Sequence, residues 1–392
     1  MHRDLGHDVI GEASMNSKLR LDGLGRQGVY IPSLDGWRTI AIFWVILSHN
    51  EVLRVGGFTD SWLHESGGRG VDLFFALSGI LICGRLLREE SRAGAISLRS
   101  FYARRLFRIQ PAALTYLAIV CLLILTGETY RLDAYRNSPW PTVASSLLMV
   151  RNLFTKTFFF ETAHFWSLSV EEQFYIFLPA FLVLCKRYRL TVLASLVAIA
   201  VVWRVIYLST ARPARLYQRT DLVCAGILLG CVFALALARP NVRAWAEAYL
   251  FSWLALLYAL AIFLVTELHH SRADYALAIS MYPVLIAATM LHPKSWTTRF
   301  LELAPMRFIG RISYSLYLWQ EIFFDPYDPA PPHSFRSHVF LCWCATFACA
   351  IASYYLIETP MIRRGHKIAR RFDLQTKQET YGHVADAVPQ AQ

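Results

Sequence analysis

The most regular feature of this 392-residue chain is a succession of apolar blocks separated by short polar connections. A helix crosses about 30 Å of hydrocarbon with roughly 20 residues, and most blocks have about that length. The blocks lie near 36–53, 70–87, 108–126, 143–160, 169–185, 190–210, 219–238, 246–267, 273–291, 309–325 and 337–357. The pattern predicts an all-α, polytopic membrane protein.

The block at 143–160 differs from the others because Arg151, Asn152 and Lys156 interrupt it. Non-helical backbone at membrane depth is tolerated where protein or a water-filled cavity covers it, and a lateral helix can lie in the interface. We therefore predict about ten transmembrane helices plus one outer-face re-entrant or interfacial element.

Composition supports a lipid environment, with 55% hydrophobic residues, 17% charged residues and a mean hydropathy of +0.36. The net charge of +11 is concentrated in connections between blocks, above all in the seven arginines between 85 and 108. Positive charge retained in the cytoplasm sets topology, so this distribution accounts for the basic character without a nucleic-acid partner. We expect a multi-pass protein of the cytoplasmic (inner or plasma) membrane with both termini in the cytoplasm.

This organisation divides the chain into three predicted parts. Residues 31–365 would form the transmembrane domain, and the polar segments 1–30 and 366–392 would be mobile cytoplasmic tails. The eight cysteines lie in apolar blocks without CxxC pairs or histidines at ligand spacing, so we expect no metal centre.

The first block carries two ionisable residues, Arg38 and His49. Eleven positions correspond to three helical turns plus about 20°, so both side chains face one groove, about 16 Å apart in height. This geometry suits a long ligand whose anionic end meets the guanidinium while its reactive end reaches the imidazole, a usual general base. The alternative is a snorkelling arginine together with an interfacial histidine.

Two carboxylates are expected at the outer mouth near His49. Asp72 opens the second block, where it could orient or charge-stabilise the imidazole. Glu171 and Glu172 open the block at 169–185 about 100° apart, so only one is expected to face the interior. The interior one of the two could handle protons or fix an acceptor hydroxyl, whereas the alternative is an ordinary carboxylate at a helix N-terminus.

On the cytoplasmic side, Arg105 and Arg108 follow Arg104 at the start of a helix. Guanidinium groups and helix N-terminal amides both favour phosphate, although topology alone would also explain these arginines.

Six short motifs occur in order along the chain. They are Arg38 with His49, residues 74–82, residues 105–111, residues 166–168 with Glu171, Phe174 and Tyr175, residues 312–319, and residues 357–360. Together they resemble the acyltransferase-3 family of membrane acyltransferases, which includes O-antigen, exopolysaccharide and Nod-factor acetylases. The resemblance covers about residues 31–365.

This resemblance implies acyl-CoA, with acetyl-CoA as the first candidate, as a cytoplasmic donor. It also implies a saccharide acceptor at or beyond the outer face, such as lipopolysaccharide, exopolysaccharide or a lipid-linked glycan. It marks Arg38 and His49 as essential and Glu171 as a further candidate. One departure is Gln320, where many relatives have histidine, because a neutral amide cannot take a proton as imidazole can.

We therefore predict a membrane O-acyltransferase in which His49, Asp72 and Glu171 are catalytic and Arg38, Arg105 and Arg108 bind the donor. A transporter or flippase for a lipid-linked saccharide is the alternative, and a catalytically silent family member used for binding is a third. The ionisable residues inside membrane segments concentrate in the first few blocks rather than along a conduit, which favours the enzyme.

Overall fold

The computed structural model describes residues 30–49, 62–126, 139–154, 159–210, 218–269, 274–324 and 338–386. Regular structure in these ranges is entirely helical, as the apolar blocks predict. The α-helices are α1 (Pro32–Ser48), α2 (Trp62–Ala93), α3 (Leu98–Thr126), α4 (Trp140–Leu147), α5 (Phe165–Leu184), α6 (Arg189–Thr210), α7 (Thr220–Leu237), α8 (Pro240–Tyr249), α9 (Ser252–His269), α10 (Asp274–Leu291), α11 (Trp296–Leu301), α12 (Ala304–Phe323), α13 (Val339–Ser353) and α14 (Thr359–Asp386).

The predicted count of ten crossings is not confirmed. Six helical stretches of the described chain are long and apolar enough to cross a membrane: Gly68–Ala93, Leu98–Thr126, Phe160–Leu184, Arg189–Tyr207, Thr220–Leu237 and Val339–Asp373. The pair α8 and α9 would add a seventh if it forms one span, but it is bent by 83°. Helices α1, α10 and α12 lie at three further predicted blocks, those at 36–53, 273–291 and 309–325. These three helices are not among the six candidates.

The predicted non-crossing element contains only short helical pieces. Helix α4 has eight residues and is thus about 12 Å long, which is too short to cross the hydrocarbon. A turn of 3₁₀-helix follows at Arg151–Leu153. The side-chain amide of Asn152 donates to the Thr220 hydroxyl at 2.6 Å and accepts from Gln173 at 3.0 Å, which ties the element to α5 and α7. As predicted, no helix in the described part of this segment is long enough to span.

Helix α1 is held between α2 and α12. The closest approach involves Gly310 of α12, where an added Cβ would collide with the backbone of Asp35. Thr39 donates to the backbone carbonyl of Met306 at 2.5 Å across the same interface. These contacts fix the helix that carries Arg38 near its first turns and His49 immediately after its last.

The C-terminal segment departs from the prediction of a tail that begins at residue 366. A π-helical turn at Tyr354–Glu358 joins α13 to α14, and α14 continues to Asp386 while it packs along α3. The Cα of Gly365 lies so close to Phe107 of α3 that an added Cβ would collide with the Cβ of that phenylalanine. This part of the chain is therefore helical up to Asp386 and its first turns have a packing partner, whereas the remaining residues of the two predicted tails, 1–29 and 387–392, lie outside the described residues.

Candidate active site

A cavity of about 690 Å³ lies among α1, α2, α3, α5, α12 and α14. Six arginines line it: Arg38, Arg85, Arg88, Arg92, Arg105 and Arg108. They cluster at one end of the helices, where α2 turns into α3, and we call this the basic end. The opposite end, where α1 reaches His49, is called the histidine end. A cavity with this charge is suited to a ligand with several anionic groups.

The helical periodicity of α2 and α3 explains the arginine lining. Arg85, Arg88 and Arg92 recur at intervals of three and four residues, which places them on one face of α2. Arg105 and Arg108 are three residues apart on the facing part of α3. The predicted donor-binding residues Arg38, Arg105 and Arg108 thus line one space, together with three arginines that were not singled out from the sequence.

Arg38 stands at the basic end of this space. Its guanidinium pairs with Asp35, one helical turn earlier, at 2.8 Å, and about a fifth of the side chain is exposed. It also borders a second cavity of about 320 Å³, which shares Arg88, Arg108 and Tyr314 with the first. Arg38 therefore lies at the partition between two cavities at the basic end.

Glu171 faces the arginine-lined cavity, whereas Glu172 is not among its lining residues. The Ser78 hydroxyl donates to one carboxylate oxygen of Glu171 at 2.8 Å, and the Tyr175 hydroxyl donates to the other at 2.8 Å. The guanidinium of Arg105 lies 5.0 Å from the centre of the Tyr175 ring. One carboxylate is thus held in a fixed orientation inside a mainly basic cavity.

His49 contacts the side-chain amide of Gln320 on α12. Its Nδ1 donates to Oε1 of Gln320 at 2.9 Å, because an amide oxygen can only accept. The imidazole also makes an edge contact with Phe160, with 6.0 Å between the ring centres. His49 is not among the lining residues of the cavity, which ends near Tyr317, one helical turn before Gln320 on α12.

Asp72 has two cationic neighbours in the structure. It interacts electrostatically with Arg69 and Arg204, and Tyr275 and Tyr282 lie within its electrostatic reach. Successive residues of α2 point about 100° apart, so Val71, which lines the cavity, and Asp72 face different neighbours. The described contacts of Asp72 are thus with Arg69 and Arg204, and the role of Asp72 in orienting the imidazole stays a prediction.

A buried polar cluster at the histidine end was missed by sequence reasoning. Nδ1 of His164 donates to Glu321 at 2.5 Å, and both side chains are about 98% buried or more. Ser167 and Tyr317, which line the deep end of the cavity, contact each other at 2.6 Å through their hydroxyl groups. A carboxylate inside an apolar block was a usable signal for Glu321, because such residues are costly in a membrane.

His366 and Asp373 of α14 also line the cavity. Asp373 lies 3.5 Å from Arg104 of α3, which in turn pairs with Glu89 of α2 at 2.9 Å. The sequence did not predict a role for His366 and Asp373, because the polar segment 366–392 is typical of a tail.

The fold and this cavity define a helical membrane protein with a basic internal cavity. The family model described as an acyltransferase domain, that of the acyltransferase-3 family, matches residues 31–356, and the chain belongs to this family. No solved structure matches it.

The curated relatives are longer than this chain. One, from Staphylococcus aureus strain COL, is named "Putative O-acetyltransferase" and is 31% identical over 372 residues, covering 86% of this chain and 58% of the relative. Another, the peptidoglycan O-acetyltransferase OatA of Listeria monocytogenes, is 28% identical over 367 residues, covering 86% of this chain and 56% of the relative. The chain thus spans somewhat more than half the length of the relatives that it matches.

Proposed function

We propose that this protein is a membrane O-acetyltransferase that moves an acetyl group from acetyl-CoA to a hydroxyl group of a cell-envelope saccharide. The observation that carries the proposal is the cavity lined by Arg38, Arg105 and Arg108, since the phosphates of coenzyme A need several cationic partners. A saccharide acceptor is supported by the relative named as a peptidoglycan O-acetyltransferase.

The direction of transfer follows from charge. The basic end contains the α2–α3 connection and its arginines, and positive charge is retained in the cytoplasm. The donor would therefore enter from the cytoplasm, with its phosphates near Arg38 and Arg108. Its acyl end would extend past Glu171 toward the histidine end, where the acceptor binds.

His49 would act as the general base for the acceptor. Its Nδ1 is protonated toward Gln320, so Nε2 is the nitrogen that takes the proton of the attacking hydroxyl. The hydroxyl oxygen attacks the thioester carbonyl, the C–S bond breaks, and the departing thiolate recovers the proton from the imidazolium. The products are an O-acetyl ester and free CoA, and His49 returns to its starting state.

The test measures transfer of radiolabelled acetyl groups from acetyl-CoA to peptidoglycan fragments and other saccharides by the purified full-length chain. His49→Ala should lower the transfer rate by about 10²–10⁴-fold, because general acid–base catalysis contributes that much. Arg38→Ala should raise KM for acetyl-CoA by about tenfold or more, as expected for a lost charged hydrogen bond.

Two control variants replace a histidine and an arginine that lie away from the cavity. His292 stacks on Phe251, and Arg243 pairs with Glu247 at the surface of α8, so His292→Ala and Arg243→Ala should transfer label like the wild type. Equal transfer by wild type, His49→Ala and Arg38→Ala would contradict the mechanism. Saccharide movement without covalent label would instead indicate a flippase.

A further inference from the structure

Gln320 combines complete burial with an unsatisfied donor. Its side chain has no solvent exposure, and its Oε1 accepts from His49, but its Nε2 has no hydrogen-bond partner in the described structure. Buried N–H groups are nearly always paired, because an unpaired one loses its hydrogen bonds to water without replacement. The unpaired Nε2 therefore marks a place where a ligand atom can accept a hydrogen bond.

The location of Gln320 restricts what that ligand atom is. Tyr317, one turn earlier on α12, lines the deep end of the arginine-lined cavity, and Gln320 lies about 4.5 Å further along the same helix. A donor that fills the cavity with its phosphates at the basic end points its acyl group at this turn. To reach Gln320 the acyl group passes the Ser167–Tyr317 hydrogen bond, which ends the cavity.

We propose that Gln320 takes part in acyl transfer with both ends of its amide. Its carbonyl oxygen holds His49 in the tautomer whose Nε2 accepts the hydroxyl proton, and its N–H donates to the carbonyl oxygen of the acyl group. This inference rests on the acetyl-transfer function proposed above and adds a residue to it.

The contacts of Gln320 with His49 and with the acyl carbonyl oxygen both act during the acyl-transfer step. When the acceptor oxygen bonds to the thioester carbon, the carbonyl oxygen gains negative charge and the hydroxyl proton passes to Nε2 of His49. The Gln320 N–H stabilises that oxygen, and the carbonyl reforms as the C–S bond breaks. Preorganised donors of this kind stabilise the charge that develops in the transition state.

Three substitutions separate the two contacts. Gln320→His keeps one acceptor and one donor, Gln320→Glu keeps only acceptors when ionised, and Gln320→Leu keeps neither. We expect Gln320→His to retain kcat within about tenfold. Gln320→Glu and Gln320→Leu should lower kcat by about 10²–10³-fold, the usual effect of removing one oxyanion donor, with KM for acetyl-CoA changed by less than about threefold.

Gln173→Leu is the matched control, because it also removes a hydrogen-bonded amide from a helix but lies in the network with Asn152 and Thr220. Its kcat should stay within about threefold of the wild-type value, and thermal unfolding of every variant checks its folding. Wild-type kcat in Gln320→Leu, or equal kcat in Gln320→Glu and Gln320→His, would overturn the donor role.

A second measurement does not depend on turnover. In ¹⁵N-histidine-labelled protein, the His49 resonance, assigned by its loss in His49→Ala, should show a proton on Nδ1, and Gln320→Leu should shift the ring toward a mixture of tautomers. An unchanged spectrum in Gln320→Leu would overturn the positioning role. Failure of the wild type to transfer any label would instead reject the proposed function, and the spectrum would still decide whether Gln320 sets the tautomer.

Discussion

A single step along a helix decides whether an ionisable side chain in this protein meets the cavity. Val71, Phe74 and Ser78 line the cavity from one face of α2, whereas Asp72 interacts electrostatically with Arg69 and Arg204. The sequence reveals that Asp72 is an unusual residue in an apolar block, but its neighbours depend on how α6 and α10 pack. For Glu171 and Glu172 the same 100° step separates a residue that lines the cavity from one that does not.

Asp72→Asn tests whether this carboxylate stabilises the fold or serves the reaction. We expect the midpoint of thermal unfolding to fall by about 5 °C or more, since Arg69 and Arg204 would lose the negative charge with which they interact. The kcat of the folded variant should stay within about threefold of the wild-type value. Both quantities can be measured on detergent-purified protein, by thermal unfolding and by acetyl transfer.

Asp221→Asn provides the matched control for that experiment. Asp221 pairs with Arg219 at 3.0 Å, but both side chains are more than a third exposed, and exposed ion pairs contribute little. Its unfolding midpoint should hardly change. A hundredfold loss of kcat in Asp72→Asn at an unchanged midpoint would return Asp72 to the reaction.

At the scale of the elements, the apolar blocks predict where most helices lie but not where a helix bends or ends. The block at 246–267 contains the 83° bend between α8 and α9. The bend falls at Leu250 and Phe251, so no glycine or proline at these positions indicates it. Helix α14 was missed for the opposite reason, since its polar sequence lacks a membrane signature while Gly365 and Phe107 pack it onto α3. Tertiary contacts decide such cases, and periodicity does not encode them.

The packing of α2 against α7 supplies a test at this scale. A Cβ on Gly79 would collide with the backbone carbonyl of Ile227, whereas a Cβ on Gly84 of the same helix would meet nothing within 4 Å. Gly79→Ala should therefore lower the unfolding midpoint by about 3 °C or more, because overpacking costs about 1–3 kcal/mol.

Gly84→Ala should leave that midpoint unchanged or raise it slightly, since alanine favours a helix by about 1 kcal/mol relative to glycine. Equal midpoints for the two variants would mean that α2 and α7 are not packed as described.

For the whole molecule, the arrangement of charge predicts an orientation in the membrane. The α2–α3 connection at the basic end should face the cytoplasm, and α4 should lie at the outer face. A membrane-impermeant maleimide should therefore label Trp140→Cys in intact cells, and it should label Ala95→Cys only after the membrane is opened.

The unsubstituted chain, with its eight native cysteines, gives the background labelling in both conditions. Labelling of Ala95→Cys in intact cells would reverse the proposed direction of transfer, because donor and acceptor would then approach from exchanged sides.

The arginine-lined cavity has a consequence for the catalytic cycle as a whole. Among its lining residues, six arginines stand against three carboxylates, those of Glu89, Glu171 and Asp373. Mutual repulsion among cations is strong where the dielectric constant is low, so a cavity that holds an anionic ligand is more favourable than an empty one. If the cavity binds acetyl-CoA as proposed, the spent carrier is best replaced by a fresh one that arrives as it leaves. We then expect exchange of carriers, rather than bond formation, to be the slowest stage of turnover.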